Sequence, residues 1–466
     1  VRYDVGTSMS DARRVNRRPV LKAGVAVAGI AGIGYALRRS ILARLDRWTQ
    51  RPDFAATPPL IPHDPERDRS RIAVARGGAP AENIDAAIDR LGGIERFVGA
   101  RDVVIIKVSA QWWNQGMTNV AAARRTIERV LARPGFAGEV IVFENTHFRL
   151  PDGSGLARAW TRPSERNVDV PGWTRLGDLI PHFARQAAPV SFVGLIDAGK
   201  NDLAGDHWHD PRHEHGVYGG DGRGPIADGE ERDGYHWDFT ETFSVPRSLV
   251  DAARTPLTWP VFTSPHSGLV VDLRRGLFQK DAGGRRAPVA DRKLSWINMT
   301  TCNEHVTTGI TAACKSPMGI VDMSAGAHGT HVLASGYKSL HYFGAPNASW
   351  RMAGPLAYFS QRVRAPDLYL TVAEWVAMTP PGPWDDERQD NRLEEVSAHR
   401  TRTVVAGTDP VAIDTWCARN LLMPLGGARR QLWDMDDPSS TAVKFLRNYR
   451  QVMGRGTMDP ALIEVA

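Results

Sequence analysis

Only three cysteines occur in the 466 residues, Cys302, Cys314 and Cys417. No pair has C-x-x-C spacing, and an odd count is not a disulfide framework. A four-cysteine cluster is excluded, so no iron–sulfur cofactor is expected. Two readings stay open for the thiols: a Cys302–Cys314 bridge, or free buried cysteines, the usual place for this residue type. Familiar catalytic signatures are missing as well. There is no G-x-S-x-G, no Walker loop and no G-x-G-x-x-G after a strand, which argues against an α/β-hydrolase, an ATPase and a nicotinamide enzyme. Internal repeats and coiled-coil heptads are also absent.

Net positive charge is confined to one end. Residues 1–51 hold eleven Arg and Lys against three Asp, a net of +8. The whole chain carries +6, which leaves residues 52–466 at −2. No basic stripe marks the remainder, so nucleic acid is not an expected partner.

The basic end reads ARRVNRRPVLKAGVAVAGIAGIGYALRRS. Arg17-Arg18 precede Leu21-Lys22, and an apolar run rich in Ala and Gly spans Ala23 to Leu37. A basic region followed by a short apolar run is the layout of a targeting segment. This one resembles a twin-arginine export signal, which implies the twin-arginine export machinery as a partner. Arg38 and Arg39 follow the run directly and no A-x-A site is evident, so an uncleaved anchor in the inner membrane is the variant reading. The plain alternative is a basic amphipathic tail. The expected division is a signal or anchor over residues 1–50, a Pro-rich linker over 51–71, and a single α/β domain over 72–455. The expected location is the periplasm or the outer face of the bacterial inner membrane.

The folded part opens with alternating strand and helix patterns. RIAVA is a short apolar strand, and ENIDAAIDRLGG places Ile84, Ala87, Ile88 and Leu91 at helical spacing before Gly92. DVVIIKV and EVIVFE are nearly continuous apolar runs, as strands buried on both faces are. A helix with Val120, Ile127, Val130 and Leu131 on one side lies between them. Further strands are expected at 190–196, 294–299, 368–372 and 403–406, with a helix from Pro410 to about Leu422. The fold class is α/β: a mostly parallel sheet with helices on both faces. Residues 145–291 are rich in Gly, Asp, Trp and His and read as a long irregular insertion.

The segment CNEHVTTGITAACKSPMG carries a His at one end, Lys315 at the other, and small residues between. Thr307 or Thr308 is a suitable N-cap, which predicts a helix with Thr311 and Lys315 on one face. His305 is then the candidate acid, base or metal ligand, and Lys315 the candidate partner of an anion. The plain alternative is a hydrogen-bonded His, a surface Lys and small residues for close packing. In GTDPVAID, Asp409 is placed to cap a helix begun by Pro410, and Asp414 falls in its first turns. Either carboxylate could instead reach the same cleft as His305. In GDHWHDPRHEHG, His207, His209, His213 and His215 fall within nine residues. Such tracts bind transition metals or form solvated loops, and HEH is not HExxH.

Three of these stretches together resemble the domain-of-unknown-function 362 family. They are the opening to Val108, with Lys107 on a characteristic Lys; the 302–319 segment, with His305, Gly309, Thr311, Lys315 and Gly319 in register; and GTDPVAIDTWCARNL, with Asp409, Pro410, Ala412 and Asp414. The chain departs from the pattern at Val108-Ser109, Asn303 and Ser316. The resemblance implies an α/β fold and makes Lys107, Thr311, Asp409 and Asp414 candidate binding positions. It implies no reaction. Two functions fit: an exported enzyme with a metal-dependent or acid–base site at the strand ends, or a non-catalytic exported protein that holds a metal or small anion for a membrane partner.

Overall fold

A computed structural model describes residues 68–145, 158–195, 226, 232–244, 254–322, 348–378, 398–426 and 429–466. The segment expected to be an export signal, most of the expected linker and the histidines at 207, 209, 213 and 215 lie outside the described residues. Among the described residues no helix is long and apolar enough to cross a membrane.

The strands of the main sheet are β1 (Ser70–Arg76), β2 (Val103–Lys107), β3 (Glu139–Phe143), β4 (Val190–Val193), β10 (Leu294–Thr300), β13 (Leu368–Ala377), β14 (Ala398–Gly407) and β15 (Ile463–Val465). Their order is β15-β1-β14-β13-β10-β2-β3-β4. The run from β13 to β4 is parallel throughout. β14 is antiparallel to both β13 and β1, so β1 runs in the same direction as β2 with three strands between them. The continuous apolar runs VVIIK and EVIVF are wholly buried, as parallel strands covered on both faces require.

Helices cover each face. On one side lie α1 (Pro80–Arg90), α2 (Val120–Leu131) and α3 (Leu179–Arg185). On the other lie α4 (Ala348–Arg362), α5 (Pro410–Cys417) and α7 (Thr441–Met453), the last preceded by the short α6 (Arg430–Trp433). α1 buries Ile84, Ala87 and Ile88 as the helical spacing predicts. Each such side chain contributes roughly 1.5–3 kcal/mol relative to leaving it in water. Asn119 caps α2 by accepting from Ala122 N at 3.0 Å, and Ser440 caps α7. The helix begun by Pro410 changes to a π-helical stretch over Ala418–Leu422 before that region ends.

Two expectations are revised. Part of the 145–291 insertion is regular. It forms a five-stranded antiparallel sheet of β5 (Gly234–Ser244), β6 (Arg254–Thr263), β7 (Val270–Asp272), β8 (Gly276–Lys280) and β9 (Arg286–Pro288). Buried Tyr235, Trp237, Trp259 and Phe262 join it to the core under the main sheet. The second revision concerns residues 303–311. The helix expected from Thr307 or Thr308 is a β-hairpin, β11 (Asn303–His305) with β12 (Gly309–Thr311). Gly309 has φ +75°, and a Cβ there would lie 2.6 Å from Ala442 Cα. The left-handed turn and the contact with α7 override the helical propensity of the neighbours. Thr311 and Lys315 are therefore not one turn apart on a helix. A turn follows β12, and Ser316–Gly319 is a single 3₁₀ turn.

Candidate functional site

β2 is apolar until its last residue, Lys107, and β3 is followed at once by Glu144. The strands are adjacent and parallel, so two opposite charges meet at their finishing ends. Lys107 Nζ lies 3.3 Å from Glu144 Oε2, with both side chains almost fully enclosed. The ammonium also donates to Ser316 Oγ at 3.1 Å, and the Ser316 hydroxyl donates to Asn298 Oδ1 at 2.9 Å. Asn298 stands beside Lys107 in the β10–β2 register. Its Nδ2 is buried and has no hydrogen-bond partner among the described residues.

The small residues of the 302–319 segment find their reason here. A Cβ on Gly319 would lie 2.5 Å from Glu144 Oε2 and 2.7 Å from Lys107 Nζ. Glycine lets the 3₁₀ turn close directly over the ion pair. Asn145 N donates to Gly319 O at 2.8 Å and Asn145 Nδ2 to Val321 O at 2.5 Å, which fastens the turn to the end of β3.

Lys315 begins this turn. Protein atoms surround its amine although the residue keeps some accessible surface, the condition of a group in a crevice. No hydrogen bond or ion pair joins its amine to the described residues. Burial, reinforced by the Lys107 cation, pulls its pKa from 10.5 down to about 7. Burial raises Glu144 from 4.5 to about 7, against the opposing pull of Lys107 and a hydrogen bond from the Ala110 backbone. The same desolvation lowers Lys107, with Glu144 resisting. Desolvation disfavours the charged form in each case. The result is a carboxyl and an amine that both change protonation near neutrality, the carboxyl being the partner of Lys107 itself.

Asp414 reaches this segment from α5. Its Oδ1 accepts from Ala313 N at 2.7 Å and its Oδ2 from Cys314 N at 3.0 Å. It clamps the backbone immediately before Lys315, and burial raises its pKa to about 7. It is a positioning residue, distinct from the groups that face the crevice. Asp409 does what the sequence predicts, capping α5 with Oδ1 on Val411 N at 2.9 Å and Ala412 N at 3.2 Å. Its Oδ2 accepts from Thr457 N at 3.0 Å. It lies just beyond Gly407, which pairs with Tyr369 near the start of β13. Asp409 is thus at the starting ends of the parallel strands, away from Lys107.

His305 is buried on β11 opposite Gly309. Thr307 N donates to its Nδ1 at 3.2 Å, and the Thr307 hydroxyl lies 2.9 Å from the same nitrogen. Beside it, Glu304 accepts from Trp433 Nε1 at 2.9 Å and pairs with Arg429. Thr311 stands opposite Asn303 on β12 and is partly exposed. The Cys302–Cys314 bridge is not formed: all three cysteines are free and buried. The neighbour of Cys302 is Cys417, whose thiol is raised mainly by burial and then by that contact.

Of the sequence candidates, Lys107, Lys315 and Asp414 are brought together. Glu144, Ser316 and Asn298 belong with them but were not candidates. One signal was available: two adjacent apolar runs, VVIIK and EVIVFE, each end in a charge of opposite sign. Strand ends are where open α/β sheets bind ligands.

Fold and site together define an α/β protein with a buried polar cluster at the finishing ends of its parallel strands. The stretch that supplies Asn298, Lys315, Ser316 and Asp414 is similar to a family described as Domain of unknown function (DUF362), whose model matches residues 289–419. Lys107 and Glu144 fall outside the matched residues. No curated protein matches the chain.

Proposed function

We propose that the strand-end crevice binds a small anionic ligand and moves a proton between that ligand and the Lys315–Glu144 pair. One observation carries this reading. Lys315 is an enclosed amine without a partner among the described residues, placed near the Lys107 cation, whose own partner is Glu144. An unpaired buried cation is costly, and an anion would relieve that cost. Asn298 Nδ2, a second unsatisfied donor in the same network, offers a directional contact. A base and an acid that titrate near 7 suit general acid–base chemistry at neutral pH. The reaction class would be proton transfer at a ligand carrying a carboxylate or phosphate.

The test is calorimetric titration of small carboxylates and inorganic phosphate into wild-type protein and Lys315→Met. Saturable binding that the variant loses supports the reading; equal binding in both sinks it. Ligand binding without turnover would favour the non-catalytic binding protein. We also retain export through the N-terminal signal as part of the proposal. A reporter active only outside the cytoplasm, fused after residue 60, tests it, and a silent reporter rejects it. The transition-metal reading rests on His207, His209, His213 and His215. Elemental analysis of the wild type beside a His207→Ala/His209→Ala variant decides that question.

A further inference from the structure

A second cluster of charge lies at the starting ends of the strands. Arg69, Arg71, Arg96 and Arg455 line one cleft of about 320 Å³ with Asp409. The arginines come from three separate parts of the chain: the entry to β1, the turn after α1, and the turn after α7.

The cleft is built rather than incidental. The turns that carry Arg69 and Arg455 are tied to each other. Arg450 Nη2 donates to Asp68 Oδ2 at 2.6 Å, next to Arg69, and Arg450 Nε donates to Gly456 O at 2.6 Å, next to Arg455. Gly456 has φ +102°, and a Cβ there would lie 2.7 Å from Asp409 Oδ1, so glycine lets that turn seat on the cap of α5. Asp409 is the one carboxylate among the described lining residues. Its oxygens are already engaged by Val411 N, Ala412 N and Thr457 N. Arg71 has a long contact with Glu464, 3.4 Å between two exposed side chains, and Arg96 donates to Leu91 O at 3.0 Å. Arg69 and Arg455 make no hydrogen bond or ion pair with the described residues.

Four arginines therefore line one cleft, and its one described carboxylate is held by backbone N–H groups. Guanidinium forks match the paired oxygens of phosphate and carboxylate groups. The volume is at the small end of the range for small-molecule sites. We infer that this cleft binds a compact polyanion bearing two or more phosphoryl or carboxylate groups. It is separate from the Lys315 crevice and independent of the function proposed there. The phosphoryl group could belong to a soluble molecule or to a lipid headgroup.

The experiment uses full-length Lys315→Met protein, which removes the strand-end amine, with and without Arg69→Ala and Arg455→Ala. Inorganic pyrophosphate is titrated calorimetrically at two salt concentrations. Sedimentation with phosphatidylcholine vesicles, with or without phosphatidylglycerol, is measured in parallel. The basic tail at residues 1–51 is common to every variant, so the difference between variants is the reading. The expected result is saturable pyrophosphate binding, weakened at least tenfold by the two arginine changes and by added salt. Arginine-dependent sedimentation without pyrophosphate binding would place the phosphoryl group on a lipid. Equal behaviour with and without the arginines, in both assays, overturns the inference, and so does a failure of both probes to bind.

Discussion

The two ends of the main sheet hold charge in opposite ways. At the finishing ends, Lys107, Glu144 and Lys315 are enclosed, and burial drives their pKa values toward neutrality. At the starting ends, four arginines stand exposed around a cleft whose only described carboxylate is held by backbone N–H groups. Burial makes charge a variable set by pH; exposure leaves it constant but screened by salt. The first arrangement suits proton transfer and the second suits plain attraction.

The largest expected effect comes from breaking the buried pair. Lys107→Met leaves Glu144 enclosed without its cation, and losing one partner of a buried ion pair typically costs about 3–5 kcal/mol. Urea unfolding should show most of that loss. Adding Glu144→Gln should restore much of it, because the uncompensated charge is gone. A double variant no more stable than the single would mean that the pair is not the unit it appears to be from its 3.3 Å separation.

Lys315→Met should weaken binding and leave the fold at least as stable at neutral pH, because the costly enclosed amine is gone. Loss of a charge-assisted contact is worth about 1.5–3 kcal/mol, or roughly 10- to 100-fold in affinity. The wild type should lose anion affinity as pH rises through about 7, because Lys315 gives up its proton while Glu144 gains a charge. Stability should follow a related course. The raised pKa values of Glu144 and Asp414 make stability fall as pH rises from about 4 through 7. The lowered pKa of Lys315 makes it recover from about 7 to 10.5. Lys315→Met should weaken the recovery, leaving the part that the lowered Lys107 contributes, and keep the fall. Thermal melts from pH 4 to 10 would reveal it, and a variant with an unchanged alkaline limb would refute the enclosed amine.

Asp414→Asn should cost about 1–3 kcal/mol, since one of two buried backbone donors loses its acceptor. Its effect on anion binding should equal that of a loosened Lys315 turn: a weaker Kd with the same pH midpoint. A shifted midpoint would mean that Asp414 itself faces the ligand.

These contrasts also mark what could be read from the chain alone. The buried strands were legible because β2 and β3 are unbroken apolar runs, and α1 because Ile84, Ala87 and Ile88 keep the helical period. Asp409 as a cap followed from Thr-Asp-Pro before an apolar stretch. The 303–311 hairpin was not legible. Its Thr and Gly residues carry no period, and the contact between Gly309 and α7 that decides the backbone is made by residues more than a hundred positions away. The second sheet was hidden for a similar reason. In β5 the buried Tyr235 and Trp237 alternate with His236, but Gly, Asp and Pro crowd the flanks and read as loop. Glu144 was passed over because a strand was sought and its end was not. The arginine cleft joins positions 69, 96 and 455, and no local pattern could have grouped them.

The smallest expected effect sharpens the comparison most. Arg69→Ala with Arg455→Ala should change stability by less than about 0.5 kcal/mol, as surface substitutions away from buried networks do. The backbone turns that carry them are held by Arg450, Asp68 and Asp409 and stay in place. The same double change should remove most pyrophosphate affinity. That affinity in the parent should not fall as pH rises from about 6 to 9, since guanidinium groups keep their protons throughout while phosphoryl oxygens gain charge above about pH 6, and it should fall steeply with salt. A loss of affinity as pH rises through about 7 would instead assign the binding to Lys315. Two ends of one sheet, separated by their response to proton and to salt, can then be assayed in one preparation without either site masking the other.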